Sequence, residues 1–339
     1  MRNCYISRNY KDITSAGGKA KTDIEQIMKE MGFVNIGLSQ THYKNIVIDY
    51  FLTLVGIIKM ICCIKSGDTI VLQYPIKKYY KLLCNVAHLR KGHVVTVIHD
   101  LGSFRRKKLT AQKEIIRLNH SDIIIAHNES MKEWLISNGC KATINVLGIF
   151  DYLSPGNITA PIHLPLKNEY SIFYVGNLSY KKNKFIYSLS DNLKKSGFYL
   201  YGNGLDKESL NAKENIFCKG FIRDLDLITN CCGDFGLSWY GNSLDSGEGN
   251  FGEYMKYNNP HKISLYLRCN IPIIIWGKAG LAQFVKENGI GICVSSLNEI
   301  EQVLATISLE EYDKMLQNVQ EVSKKISSGY FMRQALRNL

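Results

Sequence analysis

The sequence predicts an α/β protein built from two Rossmann-like domains. Three observations carry that reading. Strand-like runs alternate with helical stretches along the whole chain, the runs fall into two series, and a turn-rich segment separates the series. Such alternation builds parallel sheets from βαβ units, whose ligands bind beyond the carboxyl ends of the strands.

The first series places strands at residues 4–7, 69–73, 94–98, 122–126 and 144–147. The second places them at 171–175, 198–201, 234–238, 271–275 and 291–294. Each is a short run rich in Ile, Val, Phe or Tyr, and helical patterns lie between them, for example at 21–31, 131–138, 262–267 and 281–288. Residues 46–64 are the most apolar stretch. Asp49 and Lys59 interrupt it, leaving an uncharged run too short to cross a bilayer. It reads as a buried helix, with an interfacial helix touching a membrane as the alternative. Residues 151–157 are rich in turn formers and are followed by Pro161 and Pro165, which reads as a linker. The expected domains are therefore 1–150 and 168–315, with a last helix over 316–339 packing back on the first domain.

Composition sets outer bounds. A chain of 339 residues suits two domains, and 45% hydrophobic with 21% charged residues excludes a disordered or coiled-coil chain. The ten cysteines show no CxxC and no zinc-like spacing. With no signal peptide in view, they imply a reducing cytosol. The net charge of +12 suits nucleic acid, an anionic membrane or a phosphorylated substrate. Basic residues crowd the first half at Lys77, Lys78, Lys81, Arg90, Lys91 and Arg105-Arg106-Lys107-Lys108. No nucleic-acid-binding signature accompanies them, so nucleic acid is not an expected partner.

Five segments can carry chemistry. In Asn258-Asn259-Pro260-His261-Lys262, Asn259 suits an N-cap and Pro260 the first helical position. His261 and Lys262 then put cations at the positive end of a helix, which costs stability unless an anion binds there. The alternative is a lysine pointing into water. In Phe173-Tyr174-Val175-Gly176-Asn177-Leu178-Ser179-Tyr180-Lys181-Lys182 a sharp turn ends a strand and lysines follow, suited either to a diphosphate or to solvent. Ser15-Ala16-Gly17-Gly18-Lys19 is a glycine-rich loop that fits neither the dinucleotide nor the Walker pattern; it either wraps a ligand or is a plain flexible loop. Ile98-His99-Asp100 ends a buried strand with groups able to act as general base, unless Asp100 merely caps the next helix. The run 239–254, beginning Trp239-Tyr240-Gly241, mixes aromatic, acidic and glycine residues in a long loop suited to sugars. Asp224-Leu225-Asp226 matches a DxD metal pattern but lies in a helical stretch and reads as surface charge.

Taken together, these segments resemble a known family. Residues 172–187 with Gly176-Asn177-Leu178-Ser179, residues 249–254, and Lys256-Tyr257-Asn258-Asn259-Pro260-His261-Lys262 are similar to the enterobacterial O-antigen β-1,6-galactofuranosyltransferases. The likeness continues through Pro272, Trp276, Lys278-Ala279 and Gly289-Ile290-Gly291, and includes Ile98-His99-Asp100 and residues 149–153. A more distant likeness is to the glucosyltransferases that extend O-linked GlcNAc on serine-rich adhesins. The resemblance implies a GT-B fold, two Rossmann-like domains facing across a cleft, and UDP bound without a metal or other cofactor. The diphosphate-binding lysine would fall on Lys262 and a second basic contact on or near Lys182. Tyr180 stands where the galactofuranosyltransferase has Arg, so which side chain after Gly176-Asn177 meets phosphate stays open.

The implied reaction moves galactofuranose from UDP-galactofuranose to a saccharide acceptor, lipid-linked, with inversion. Asp100 is the expected base and His99 the alternative. Gly17, Gly18, Gly176, Asn177, Lys182, Tyr240, Asn259, Pro260, His261 and Lys262 are the expected donor-site residues. The alternatives are a UDP-glucose or other hexopyranosyl transferase of the same fold, and a non-catalytic subunit that binds UDP-sugar. The expected partners are a UDP-sugar and an oligosaccharide or lipid-linked acceptor, in the cytoplasm or at the inner face of the membrane, with homo-oligomer formation left open.

Overall fold

The structure is a computed structural model that describes residues 2–11, 16–76, 79–105, 109–155, 170–211, 213–231, 233–337 and 339. Ser15, Lys77, Lys78, residues 106–108, Cys232 and residues 156–169, with Pro161 and Pro165, lie outside the described residues. The chain divides into two compact units, one of Met1–Asp151 with Gly329–Leu339 and one of Tyr152–Ser328.

Unit 1 holds six strands: β1 (Asn3–Tyr5), β2 (Val34–Asn35), β3 (Thr69–Tyr74), β4 (His93–Ile98), β5 (Ile123–Ala126) and β6 (Thr143–Val146). Their spatial order is β2-β1-β3-β4-β5-β6, every pair parallel. Unit 2 holds β7 (Ile172–Val175), β8 (Phe198–Tyr201), β9 (Ile216–Gly220), β10 (Phe235–Ser238), β11 (Ile273–Trp276) and β12 (Gly291–Val294). Here the order is β12-β11-β10-β7-β8-β9, again all parallel. In each sheet the order reverses once, between β1 and β3 and between β7 and β10. A crevice opens at such a reversal, beyond the strand ends.

The strand sequences explain the layers. The β3 run Thr-Ile-Val-Leu-Gln-Tyr is buried at every position, as a central parallel strand covered on both faces must be. Two strands carry no such signal in the sequence. β2 is two residues long, and β9, which runs into Lys219 and Gly220, is a largely exposed edge.

Three elements differ from the sequence reading. The apolar helix Ile46–Cys63 is not a buried core helix: Gly56, Ile57 and Met60 are its buried residues, and the remainder is half-buried or exposed. By length and composition it could cross a membrane, with mean hydropathy 2.1, yet it packs on unit 1 along the Gly56–Met60 face. Gly17 and Gly18 do not form a loop, because the helix Ala16–Glu30 already includes them. Lys19 is paired there with Asp23 one turn on, at 2.5 Å. At the C-terminus one long helix gives way to two. Leu309–Ser327 belongs to unit 2 and Tyr330–Leu336 to unit 1. The break falls at Gly329, where φ is +74° and a Cβ would meet Ile27 Cγ1 at 2.7 Å. The second helix is held at its start by Asp151, whose carboxylate accepts the N–H groups of Phe331 and Met332 at 3.2 and 2.7 Å. Burial pushes the Asp151 carboxyl up to about 7.

Candidate functional site

In unit 2 the reversal point between β7 and β10 is built by glycines. β7 ends at Val175, and Gly176 turns the chain with φ +152°. Gly202, just past β8, has φ +143°, and a Cβ on it would lie 1.7 Å from the Gly176 carbonyl oxygen. No other residue satisfies both the dihedral and the contact. Asn177 then shapes its own turn: its side-chain oxygen accepts the Ser179 N–H at 3.1 Å, and its carbonyl accepts Asn183 Nδ2 at 2.8 Å.

The helix His261–Arg268 is set against this turn by Gly236 and Tyr266. The Tyr266 ring occupies the space that a Cβ on Gly236 would need, at 2.4 Å. Its hydroxyl donates to the Leu237 carbonyl at 3.1 Å and accepts the Val175 N–H at 2.9 Å, so it ties the ends of β10 and β7 together. One helical turn earlier on the same face stands Lys262. Its ammonium lies 4.0 Å from the centroid of the Tyr174 ring and 4.3 Å from that of Tyr240. It is also 3.4 Å from where a Cβ on Gly176 would sit.

That ammonium is buried and has no hydrogen-bond partner among the described residues. The Tyr174 hydroxyl and Ser238 Oγ are buried and unpartnered in the same way. Two aromatic faces stabilise a cation by about 1–2 kcal/mol each at best, far less than the cost of removing it from water. Burial accordingly pulls the Lys262 pKa down to about 7. A buried cation and two buried hydroxyls without partners, at a glycine-lined strand end, are the features of a site completed by an anionic ligand.

The structure thus brings Gly176, Tyr240 and Lys262 together, with Asn177 in the adjoining turn. Helix capping differs from the sequence reading by one residue: Pro260 is the N-cap and His261 the first helical residue, while Asn259 is buried just before them. The His261 ring stacks on Tyr152, centroids 4.8 Å apart. Lys182 stands exposed in the turn after Asn177. The run 239–254 is not structureless. Trp239 Nε1 donates to the Ser243 carbonyl at 2.9 Å, and Gly249–Tyr254 is a short helix. Asp245 is engaged by Ser296 Oγ and Asn298 Nδ2 at 2.6 and 2.8 Å. Asp226 pairs with Arg223 at 2.8 Å, and Asp224 accepts from the Tyr152 hydroxyl at 2.9 Å. Among the described residues no group of three or more His, Cys, Asp or Glu is placed to hold a metal ion.

In unit 1, His99 and Asp100 follow the carboxyl end of β4. His99 Nε2 lies 2.7 Å from Gln73 Oε1, and its ring stacks on Phe150. Gln73 Nε2 in turn donates to the Lys21 carbonyl at 3.2 Å and to the Tyr10 hydroxyl at 3.4 Å, which fixes the amide orientation. An amide oxygen only accepts, so Nε2 of His99 carries a proton and Nδ1 is the basic nitrogen of the neutral ring. Tyr10 donates to Glu25 at 2.5 Å, and Ser7 Oγ donates to the other carboxylate oxygen at 2.6 Å. Burial raises the Glu25 carboxyl to about 7. The turn after Asp100 is held by the buried Glu114, which accepts from the Gly102 and Ser103 N–H groups, Ser103 Oγ and the Tyr74 hydroxyl. Sequence reading missed Gln73, Glu25, Glu114 and Gly202, and gave no role to Tyr174, which lies within the strand-end segment it singled out. The signal available for Gly202 was the Tyr201-Gly202-Asn203-Gly204 cluster closing a strand. Gly17 has nothing within 4 Å of a would-be Cβ, so packing does not call for glycine there.

Comparison with known proteins follows the same division. Residues 3–149 match the N-terminal domain family described as glucosyltransferase 3-like, and residues 172–339 match its C-terminal domain. The β-1,6-galactofuranosyltransferase WbbI of Escherichia coli K12 is 30% identical over 327 residues, covering 96% of this chain and 94% of that protein. Glucosyltransferase 3 of Streptococcus gordonii is 22% identical over 94% of this chain and 92% of its own length. Among solved structures, the lipopolysaccharide outer core galactosyltransferase WaaB superposes with a TM-score of 0.61 at 12% identity, covering 100% of this chain and 98% of that one. WaaG, a glycosyltransferase of lipopolysaccharide biosynthesis, gives 0.58 at 8% identity and 98% of each chain. These likenesses show the GT-B fold.

Proposed function

We propose that the chain, which belongs to the glucosyltransferase 3-like family of glycosyltransferases, moves galactofuranose from UDP-galactofuranose to a saccharide acceptor, with inversion. The observation that carries the donor half is Lys262, an ammonium buried between Tyr174 and Tyr240 without a partner beside the Gly176 turn. A nucleotide diphosphate supplies the missing anion. The sugar rests on the 30% identity with WbbI over nearly the whole chain. In the reaction the acceptor oxygen bonds to the anomeric carbon as the bond from that carbon to the diphosphate oxygen breaks. The acceptor proton passes to a base and then to water, and UDP leaves with the electron pair. Lys262 stabilises the growing diphosphate charge without a metal. Asp100 is the base. The hydrogen bond that Gln73 accepts from His99 favours a second reading, in which Nδ1 of His99 takes the proton.

The test is donor turnover. The purified chain is incubated with UDP-galactofuranose, UDP-galactopyranose and UDP-glucose, and UDP release is measured alongside thermal stabilisation. UDP-galactofuranose should give the fastest release. Preference for UDP-glucose would replace the sugar, and turnover with no donor would leave a binding subunit. UDP affinity that collapses in EDTA would refute the metal-free site.

A further inference from the structure

The helix Ile46–Cys63 is apolar apart from Asp49, Thr53 and Lys59, yet one of its faces is covered and the other is not. Val47, Phe51, Val55 and Ile58, spaced four, four and three residues apart, form a stripe along it. Each is half or more exposed, as are the flanking Ile46 and Tyr50. A helix that packs on a soluble unit normally turns polar side chains outward, and a contiguous exposed apolar face marks a contact surface.

Charge identifies what covers it. Unit 1 carries 24 Lys and Arg against 12 Asp and Glu, whereas unit 2 carries 18 against 18. The entire formal excess of +12 therefore lies on the unit that bears the stripe. Two copies meeting through this unit would bring like charges together, while an anionic bilayer offers both apolar depth and negative headgroups. Lys59 is exposed next to Ile58, where its stem can lie along the apolar surface and its ammonium reach phosphate. The covered side of the helix also lines a groove with Ile6, Leu72 and Ile76 at the carboxyl ends of β1 and β3. The helix therefore stands beside the strand ends where such sheets bind ligands, with its uncovered face turned away from them.

We propose that unit 1 docks on an anionic lipid bilayer through the exposed face of Ile46–Cys63. The helix lies along the interface and does not cross it, because Gly56, Ile57 and Met60 stay packed in the unit. The proposal does not depend on which sugar is transferred.

The test is flotation of the full chain with vesicles of phosphatidylcholine alone and of phosphatidylcholine mixed with phosphatidylglycerol, with sedimentation velocity run in parallel. The wild type should float with the anionic vesicles alone, and high salt should release it. Val55→Glu and Ile58→Glu should each lower partitioning by about tenfold or more, since each replaces an exposed apolar side chain that enters the bilayer on docking with a charged one. Melting temperatures should stay at the wild-type value; if either glutamate variant melts early, Phe51→Ser gives the same readout with a milder change. No flotation, or equal flotation with both vesicle types, overturns the proposal. So does a wild-type oligomer that Val55→Glu splits into monomers, because a second copy would then cover the face.

Discussion

Binding of an intact UDP-hexose should consume a proton above pH 7, and its affinity should fall as the pH rises. The reasoning starts from Lys262, whose folded pKa is pulled down to about 7 by burial against an ordinary value near 10.4. A diphosphate beside the ammonium restores the charged form, so the competent state of the empty site is the protonated one. Apparent affinity then scales with the protonated fraction. That fraction is about nine-tenths at pH 6 and about 3% at pH 8.5, which gives roughly a thirtyfold loss of affinity over the interval. An intact UDP-hexose is the right probe because its diphosphate is esterified at both ends and does not itself titrate there. Calorimetry in two buffers of different ionisation enthalpy reads the proton directly, close to one proton per ligand at about pH 8.5.

The same linkage sets a sign for stability. A lysine with a depressed folded pKa costs the empty protein most below that pKa, and the cost fades as pH rises from 7 toward 10.4. Lys262→Met should therefore raise the melting temperature of the ligand-free protein, by the equivalent of up to about 4 kcal/mol at pH 6 and less at pH 9. It should also abolish the pH dependence of binding. A flat affinity between pH 6 and 8.5, or a Lys262→Met variant that keeps the wild-type slope, would refute the placement of the diphosphate.

Three further outcomes follow from the geometry. Gly202→Ala sets a Cβ 1.7 Å from the Gly176 carbonyl at φ +143° and should lower stability by about 2–4 kcal/mol, with loss of UDP affinity, both readable in one thermal-shift titration. Asp100→Asn should leave UDP affinity intact and reduce turnover by about two to four orders of magnitude; if His99→Ala is the dead variant and Asp100→Asn is active, the two roles are exchanged. Asp151→Ala leaves the N–H groups of Phe331 and Met332 without their acceptor and should cost about 1–3 kcal/mol in denaturant unfolding, with faster amide exchange over 330–336 than in the wild type.

Residues whose structural reason is local were readable from the sequence. The central strands are continuous Ile and Val runs because parallel strands are covered on both faces, so β3, β4 and β5 announce themselves. Lys262 stood out for being a cation in a first helical turn. The larger penalty proves to be desolvation between two tyrosine rings, which the helix-dipole argument does not contain. The dipole and the burial point the same way, so the residue was found with the smaller of its two costs. Gly202, Gln73 and Glu114 act on residues distant in sequence, on Gly176, His99 and the turn after Asp100. Nothing in their immediate neighbourhoods states those partners.

The helix Ile46–Cys63 shows the other kind of failure. Hydropathy measures the free energy of leaving water, and a protein core and a lipid interface reward that equally. An apolar run therefore fixes that a helix leaves water without fixing what it enters. Total charge has the same defect, since +12 summed over the chain is compatible with an even spread. Most of the asymmetry is nevertheless readable, since residues 1–151 alone carry 22 Lys and Arg against 12 Asp and Glu, and the chain's return at Gly329 adds Arg333 and Arg337 to unit 1 and leaves unit 2 at 18 against 18. What the sequence order does not place is the apolar stripe on the outer face of its helix, because which face of Ile46–Cys63 is covered is decided by packing on unit 1 and not by the run itself.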